Sequence, residues 1–174
     1  SHYIGVKNLD NDNWYQKVER DPGTIFAEDH WFGDIMCIIL FNKELQTCEL
    51  GKYVVGTGTL KLPANIKAGD GHNYKLIKLT SCSSPNVQKV NFDEATNLKE
   101  IADKCFTGSK LTGTGTTAAD YVFDFSHTQL ARIGDRAFEK CMNTSNAKLK
   151  SIIFPSTIRE IGYKAFGNDS SVNT

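Results

Sequence analysis

"LKSIIFPSTIREIGYKAFGND", residues Leu149 to Asp169, decides the fold, because its second half occurs three times in the chain. The copies read "LKEIADKCF" from Leu98 to Phe106, "LARIGDRAF" from Leu130 to Phe138 and "IREIGYKAF" from Ile158 to Phe166. Each has an aliphatic residue first, Ile fourth, a small residue or Cys eighth and Phe ninth. Charged and polar residues fill most of the gaps. This is a buried skeleton with a solvated skin, and its recurrence signals a solenoid in which each unit buries its face on the next.

Upstream of each copy lies a short extended segment: "VQKVNF" (Val87 to Phe92), "YVFDF" (Tyr121 to Phe125) and "LKSIIF" (Leu149 to Phe154). Val90 with Phe92, Phe123 with Phe125, and Ile152 with Phe154 alternate at the period of a strand, so each pair points to one face. A strand followed by a compact turn of helix, repeated, is the expectation. The combined pattern, aliphatic-x-x-Ile-x-Phe followed by aliphatic-x-x-Ile-Gly-x-x-Ala-Phe, resembles the BspA-type leucine-rich repeat family of bacterial and protist surface proteins. Ile133 to Cys141 ("IGDRAFEKC") and "IGYKAF" carry the match most fully. Three positions depart from it: Asp120 opens the second repeat in place of an aliphatic residue, Cys105 replaces Ala, and Ala102 replaces Gly. The resemblance implies an α/β leucine-rich-repeat solenoid, right-handed, with a short parallel β-sheet and helical turns. It also implies a noncatalytic module in an extracellular or cell-surface setting.

Composition narrows the alternatives. A chain of 174 residues, 40% hydrophobic, can bury one core. Lys plus Arg and Asp plus Glu are 20 each, so no net field gathers phosphates, and nucleic acid is not expected as a partner. The longest apolar run, Ile35 to Phe41, falls short of the about 18 residues of a membrane span. The chain opens without the charged and apolar regions of a secretory leader, which leaves the compartment to family resemblance.

Residues Ser1 to Asp34 are the least legible. Asp10-Asn11-Asp12-Asn13 lacks the Gly and closing Glu of a calcium loop and reads as a solvated turn. Trp14, Trp31 and Phe32 read as a plug for the open end of a small core, with a sugar-stacking platform as the other reading. Ile35 to Phe41 and Leu45 to Leu50 form a β-hairpin around a polar turn, expected to cap the first repeat. A degenerate repeat starts near Thr57, with Leu60, Leu62, Pro63 and Ile66 spaced as in the third repeat. The expected division is a β-rich cap over 1–56 and repeats over 57–174, as 57–86 (degenerate), 87–119, 120–148 and 149–171. Ile101 and Ile133 are 32 residues apart but Ile133 and Ile161 only 28, so Thr107 to Asp120 is read as an inserted surface loop, as is Asn143 to Ala147. The third repeat has no recognisable cap. Further repeats, or docking of that end on another molecule, including end-to-end self-association, are the two expectations.

Catalytic motifs are missing: no GxSxG, HExxH, phosphate-binding loop or GxGxxG opening a helix occurs. Gly56-Thr57-Gly58 and Gly113-Thr114-Gly115 read as turn text. His2, His30, His72 and His127 share no metal-ligand spacing, so neither a metal nor a cofactor is expected. The five cysteines show no CxxC. Cys105 and Cys141 read as small core residues, and Cys37 with Cys48 across the hairpin leaves a disulfide open. A Cys82–His72 nucleophile pair is the remaining enzymatic reading, a cysteine-dependent hydrolase, but it has no orienting group. If the repeat strands pair in parallel, Asn91, Asp124 and Ile153 form one outward row, and Lys89, Val122 and Ser151 another. These six residues are the candidate binding face for a protein, such as a host or matrix protein, or a glycan. The competing reading is a structural spacer with no ligand of its own.

Overall fold

The computed structural model describes residues 24–84, 86–109, 111, 120–141 and 148–167. Three strands open it as an antiparallel meander: β1 (Ile25–Phe32), β2 (Ile35–Asn42) and β3 (Thr47–Val55). Phe32 stands opposite Ile35, so Gly33 and Asp34 alone make the first turn, and Gly33 takes the left-handed φ of 65° that a two-residue hairpin needs there. Along β2 the residues Ile35, Cys37, Ile39 and Phe41 all point into the main core. The expected hairpin is therefore present with one strand more, β1, drawn from the stretch that read least clearly.

The rest of the chain alternates between two sides. β4 (Gly58–Lys61), β5 (Asn65–Lys67), β6 (Asn73–Leu79), β7 (Val87–Asn91), β8 (Glu100–Ile101), β9 (Asp120–Asp124), β10 (Arg132–Ile133), β11 (Lys148–Ile153) and β12 (Glu160–Ile161) follow in order. The main sheet runs β1-β2-β3-β6-β8-β10-β12, with β5 antiparallel on β6. From β3 onward its neighbours along this path are parallel, so the last strand of the meander doubles as the first rung of a β-solenoid. Ile101 stands beside Ile133, and Ile133 beside Ile161. On the other side β4 pairs with β7 and β9 with β11, both parallel.

No helix occurs among the described residues, which corrects the expected helical turns. Two features of the repeat exclude one. Its seventh position, Lys104, Arg136 and Lys164, sits at φ of 57°, 55° and 50°, in the left-handed region. The N–H groups that a helix would direct four residues back go to the neighbouring rung instead. Lys104 and Phe106 donate to the carbonyls of Asp135 and Ala137, and Arg136 and Phe138 to those of Tyr163 and Ala165. Consecutive tight turns, stitched rung to rung, replace the helix.

The core is a set of columns. Leu50, Leu79, Ile101 and Ile133 are fully buried in one line across the main sheet. Phe106, Phe138 and Phe166 stack with ring centroids 4.9 and 5.1 Å apart and planes within 7°. Phe92, Phe125 and Phe154 make a second aromatic line, joined to the first where Phe123 meets Phe138 at 4.8 Å. Cys105 and Cys141 lie fully buried in this core, as small apolar residues do. Trp31 does not plug the core: it is 65% exposed, and only Phe32 packs partly against it. Trp14 and the Asp10–Asn13 run lie outside the described residues, as do Gly113–Gly115 and most of the expected loops. The start of the Thr107 to Asp120 stretch is not a surface loop, since Ser109 and Leu111 are buried and the Gly108 and Leu111 N–H groups donate to the carbonyls of Glu139 and Cys141 on the next rung.

The glycine of the repeat has a local cause. A Cβ on Gly134 would lie 2.4 Å from both the backbone nitrogen and Oδ1 of Asp103, and one on Gly162 equally close to Asp135 Oδ1. Asp103 Oδ1 accepts the N–H of Asp135, and Asp135 Oδ1 that of Tyr163, both at 2.8 Å, so each aspartate ties its rung to the next. The rung before Ala102 carries Ser81 where this aspartate would be, so the carboxylate part of that crowding is absent at the one repeat that has alanine here.

At the other end, Glu28 of β1 accepts the Gly69 N–H through both carboxylate oxygens, at 3.1 and 3.0 Å. Tyr74 donates to Asp70 at 2.6 Å. The meander is thereby clasped to the turn between β5 and β6.

Candidate interaction face

The six residues singled out from sequence fall on the side built by β4, β7, β9 and β11. Val122 stands beside Ser151 and Asp124 beside Ile153. Lys89 and Asn91 are in register with Thr59 and Lys61 instead. Two separate two-stranded ladders thus replace the single parallel sheet that the rows assumed. Between β7 and β9, where the backbone ladder is interrupted, lies a groove of about 230 Å³ lined by Lys89, Asn91, Asp93, Val122 and Asp124. Ser151 and Ile153 continue the surface beyond β9. Val122 and Ile153 are 39% and 43% exposed, so aliphatic surface is offered beside the charges.

Two of these side chains also shape the backbone. Asn91 Oδ1 accepts the N–H of Asp93 at 2.8 Å, and Asp124 Oδ1 accepts both the N–H and the hydroxyl of Ser126, at 2.9 and 2.6 Å. Both strands therefore end in a side-chain-capped turn. The Ser126 bonds hold the Asp124 carboxyl below the usual carboxylate range. Lys89 forms no ion pair among the described residues. Asp93, Asp124 and His127 bring one ligating atom each within 4.8 Å at the groove's end, the one such convergence among the described residues. Sequence spacing did not reveal it, because the two carboxylates come from different rungs. Two of the three are exposed, and the turn hydrogen bonds already account for the position of Asp124.

The opposite face uses its charges differently. Glu49, Lys78, Glu100, Arg132 and Glu160 occupy one row across five adjacent strands, alternating in sign. Lys78 and Arg132 reach Glu100 at 3.7 and 3.2 Å, and Arg132 also pairs with Asp103 and Glu160. The Arg132 guanidinium pulls Asp103 below the usual carboxylate range, and Asp103 and Glu160 in turn raise Arg132. Burial raises Glu49, partly offset by Lys78.

The enzymatic alternative lacks its chemistry. Cys82 is buried, its N–H bonded to the Cys105 carbonyl, and burial drives its thiol well above the ordinary value. A nucleophilic cysteine needs the reverse shift. His72 lies exposed on the turn, its N–H on Asp70. The disulfide left open between Cys37 and Cys48 is not formed: all five cysteines are free. Cys37 stands opposite Val54 and Cys48 opposite Phe41, so the strands do not face the two thiols. Burial pushes both up to about 12.

No curated protein and no solved structure matches the chain. A family model described as a BspA type leucine rich repeat region, of six copies, matches residues 73–174. That span covers more than half of the chain and includes every rung described from β6 to β12, so the chain belongs to the BspA-type leucine-rich repeat family.

Proposed function

We propose that this repeat module is noncatalytic and mediates protein–protein interaction or adhesion at a cell surface. Its contact face is formed by Lys89, Asn91, Val122, Asp124, Ser151 and Ile153. The observation that carries this reading is the groove between β7 and β9, where a lysine with no ionic partner among the described residues, a carboxylate and exposed aliphatic side chains meet over an interrupted ladder. A mixed surface of this kind suits an adaptable protein contact, and the family's usual occurrence in surface proteins supplies the setting. A protein, such as a host or matrix protein, is the favoured partner, and a glycan the other.

The test is capture by the immobilised chain from a panel of extracellular-matrix proteins and from a glycan array. The double variant Lys89→Glu with Asp124→Asn keeps the side-chain oxygen that caps the Ser126 turn, so it alters the face without removing that cap. Lost capture with unchanged thermal stability supports the reading, and retained capture refutes the face. The alternative is a spacer with no ligand of its own, its core columns serving only to stack one rung on the next. It is the outcome if the unaltered chain captures nothing.

A further inference from the structure

Beside the closed charge row, the outward face of the main sheet carries a hollow whose charges are of one sign. A groove of about 440 Å³ is lined by Gln46, Lys75, Asn97, Lys99 and Gln129, and none of its lining residues bears a carboxylate. Lys75 and Lys99 are exposed and have no ionic partner among the described residues, whereas Lys78 on the same strand as Lys75 engages Glu100. Asn97 is fixed in place, its side-chain amide donating to the Ala64 carbonyl and to Asn65 Oδ1 at 3.1 and 3.2 Å. Through Leu45, Thr47 and Ile77 the groove continues into an apolar recess of about 270 Å³ walled by Ile25, Leu40 and Leu45. Glu49, the one carboxylate of that recess, stands beside Lys78 in the charge row.

The turn between β2 and β3, which holds the two hollows together, is built against its own preferences. Leu45 at its tip is 66% exposed, a large apolar side chain where a polar one would cost nothing. Gln46 takes the left-handed φ of 56°, in a hairpin turn that glycine or asparagine would enter with less strain. Asn42 Oδ1 accepts the Leu45 N–H at 3.0 Å, and the Gln46 carbonyl accepts the Lys75 N–H at 3.1 Å, so both residues are held in these positions. What glycine would lack is the glutamine side chain, and that side chain lines the groove. Retained strain of this sort marks a residue kept for contact. We propose that this surface docks an extended acidic segment of another protein. An aliphatic side chain of the segment enters the recess beside Leu45, and a carboxylate farther along meets Lys75 and Lys99. Adjacent strands lie about 4.8 Å apart, so the two points are on the order of 10 Å apart, about three residues of extended chain. The amides of Gln46, Asn97 and Gln129, each able to donate and accept, suit the peptide backbone between. A glycan would supply the anion but no aliphatic side chain for the recess. This surface lies across the core from the groove between β7 and β9, so either can fail without the other.

The test selects binders of the whole chain from a displayed library of random dodecapeptides and measures the strongest as a synthetic peptide. Selected sequences are expected to carry Asp or Glu two to four positions from Leu, Ile or Val. Replacing those acids by their amides should weaken binding about tenfold, with the difference shrinking as salt rises. Lys75→Glu with Lys99→Glu should weaken it at least as much, and Leu45→Ser should also weaken it, all without a fall in the thermal midpoint. Gln46→Gly separates contact from folding, since it should weaken binding while leaving the midpoint equal or higher. Lys89→Glu with Asp124→Asn should leave binding unchanged. Selected peptides without the acidic–aliphatic pattern, or indifferent to Lys75 and Lys99, overturn the proposal, as does a Gln46→Gly chain that binds as before or melts lower. A heparin oligosaccharide that binds in place of any peptide assigns the groove to a glycan, and self-association of the chain alone that Lys75→Glu with Lys99→Glu disrupts assigns it to a second copy. Either result overturns it too.

Discussion

The face through β6, β8, β10 and β12 and the face through β7, β9 and β11 flank the same core and treat their charges in opposite ways. On the first, strand registry places each charge of the central row beside one of opposite sign, and Arg132 alone engages three carboxylates. On the second, Lys89 has no ionic partner among the described residues, and the Asp124 carboxylate bonds its own turn. A row whose charges satisfy one another holds rungs in register but offers little to a ligand. A face with an interrupted ladder leaves polar side chains outside ion pairs, while its β4–β7 and β9–β11 ladders still hold their own rungs in register.

The comparison can be broken first at what the two faces share. Phe138 touches Phe106, Phe123, Phe125 and Phe166, and therefore joins both sides. Phe138→Ala is expected to cost about 3–5 kcal/mol in urea unfolding. Phe154→Ala, at a half-buried site, should cost clearly less. Equal losses would mean that the columns do not unite the faces.

Next comes the stitching of the paired face. Gly162→Ala forces a Cβ against the Asp135 backbone and should cost about 1–3 kcal/mol. The reciprocal change, Ala102→Gly, meets no such crowding and should cost only about 0.5–1 kcal/mol, from added backbone freedom. Thermal melts that rank them the other way would remove the aspartate explanation of the repeat glycine.

The charge row should matter less. Arg132 is about one-third exposed, so screening limits its removal by Arg132→Ala to roughly 1 kcal/mol at neutral pH. Its signature is the pH dependence. Asp103 is held below its ordinary value, so its contribution is present above the unfolded-state pKa and is lost as pH falls through the folded one. Without Arg132, stability should decline less steeply below the usual aspartate range. An unaltered acid limb would show that the row is ornamental.

Smallest of all should be the change at the groove. Lys89→Glu with Asp124→Asn is expected to shift stability by less than about 0.5 kcal/mol. A larger loss would mean that this face is structural too.

The solenoid was legible because its determinants are local and periodic. Isoleucine at the fourth position and phenylalanine at the ninth, thrice repeated, fix which side chains must be buried together, and Ile101, Ile133 and Ile161 do stand on adjacent rungs. The paired strands upstream of each copy were equally readable from alternation. The two-residue strands Glu100–Ile101, Arg132–Ile133 and Glu160–Ile161 were not, since two residues carry no period. β1 was missed because polar Glu28 and His30 share the face of Phe26 and Phe32, opposite the core residues Ile39 and Cys37, and mask the alternation, although Gly33-Asp34 between two apolar flanks marks the turn.

The candidate face was found only as a list of positions. Which of them share a groove depends on β7 and β9 failing to pair, and nothing in either strand's own sequence announces that. The charge row was hidden for a related reason: Glu49, Lys78, Glu100, Arg132 and Glu160 are separated by unequal loops, so no fixed spacing connects them.

Sequence alone therefore determined the family, the repeat and the identity of the core, because burial is dictated by the order of apolar residues along a few contiguous positions. Tertiary structure decided the rest. Turns replaced helices because backbone donors found acceptors on the next rung. Charges became either a closed row or an open groove according to which strands came into register, a relation between distant segments that exists only once the chain has stacked.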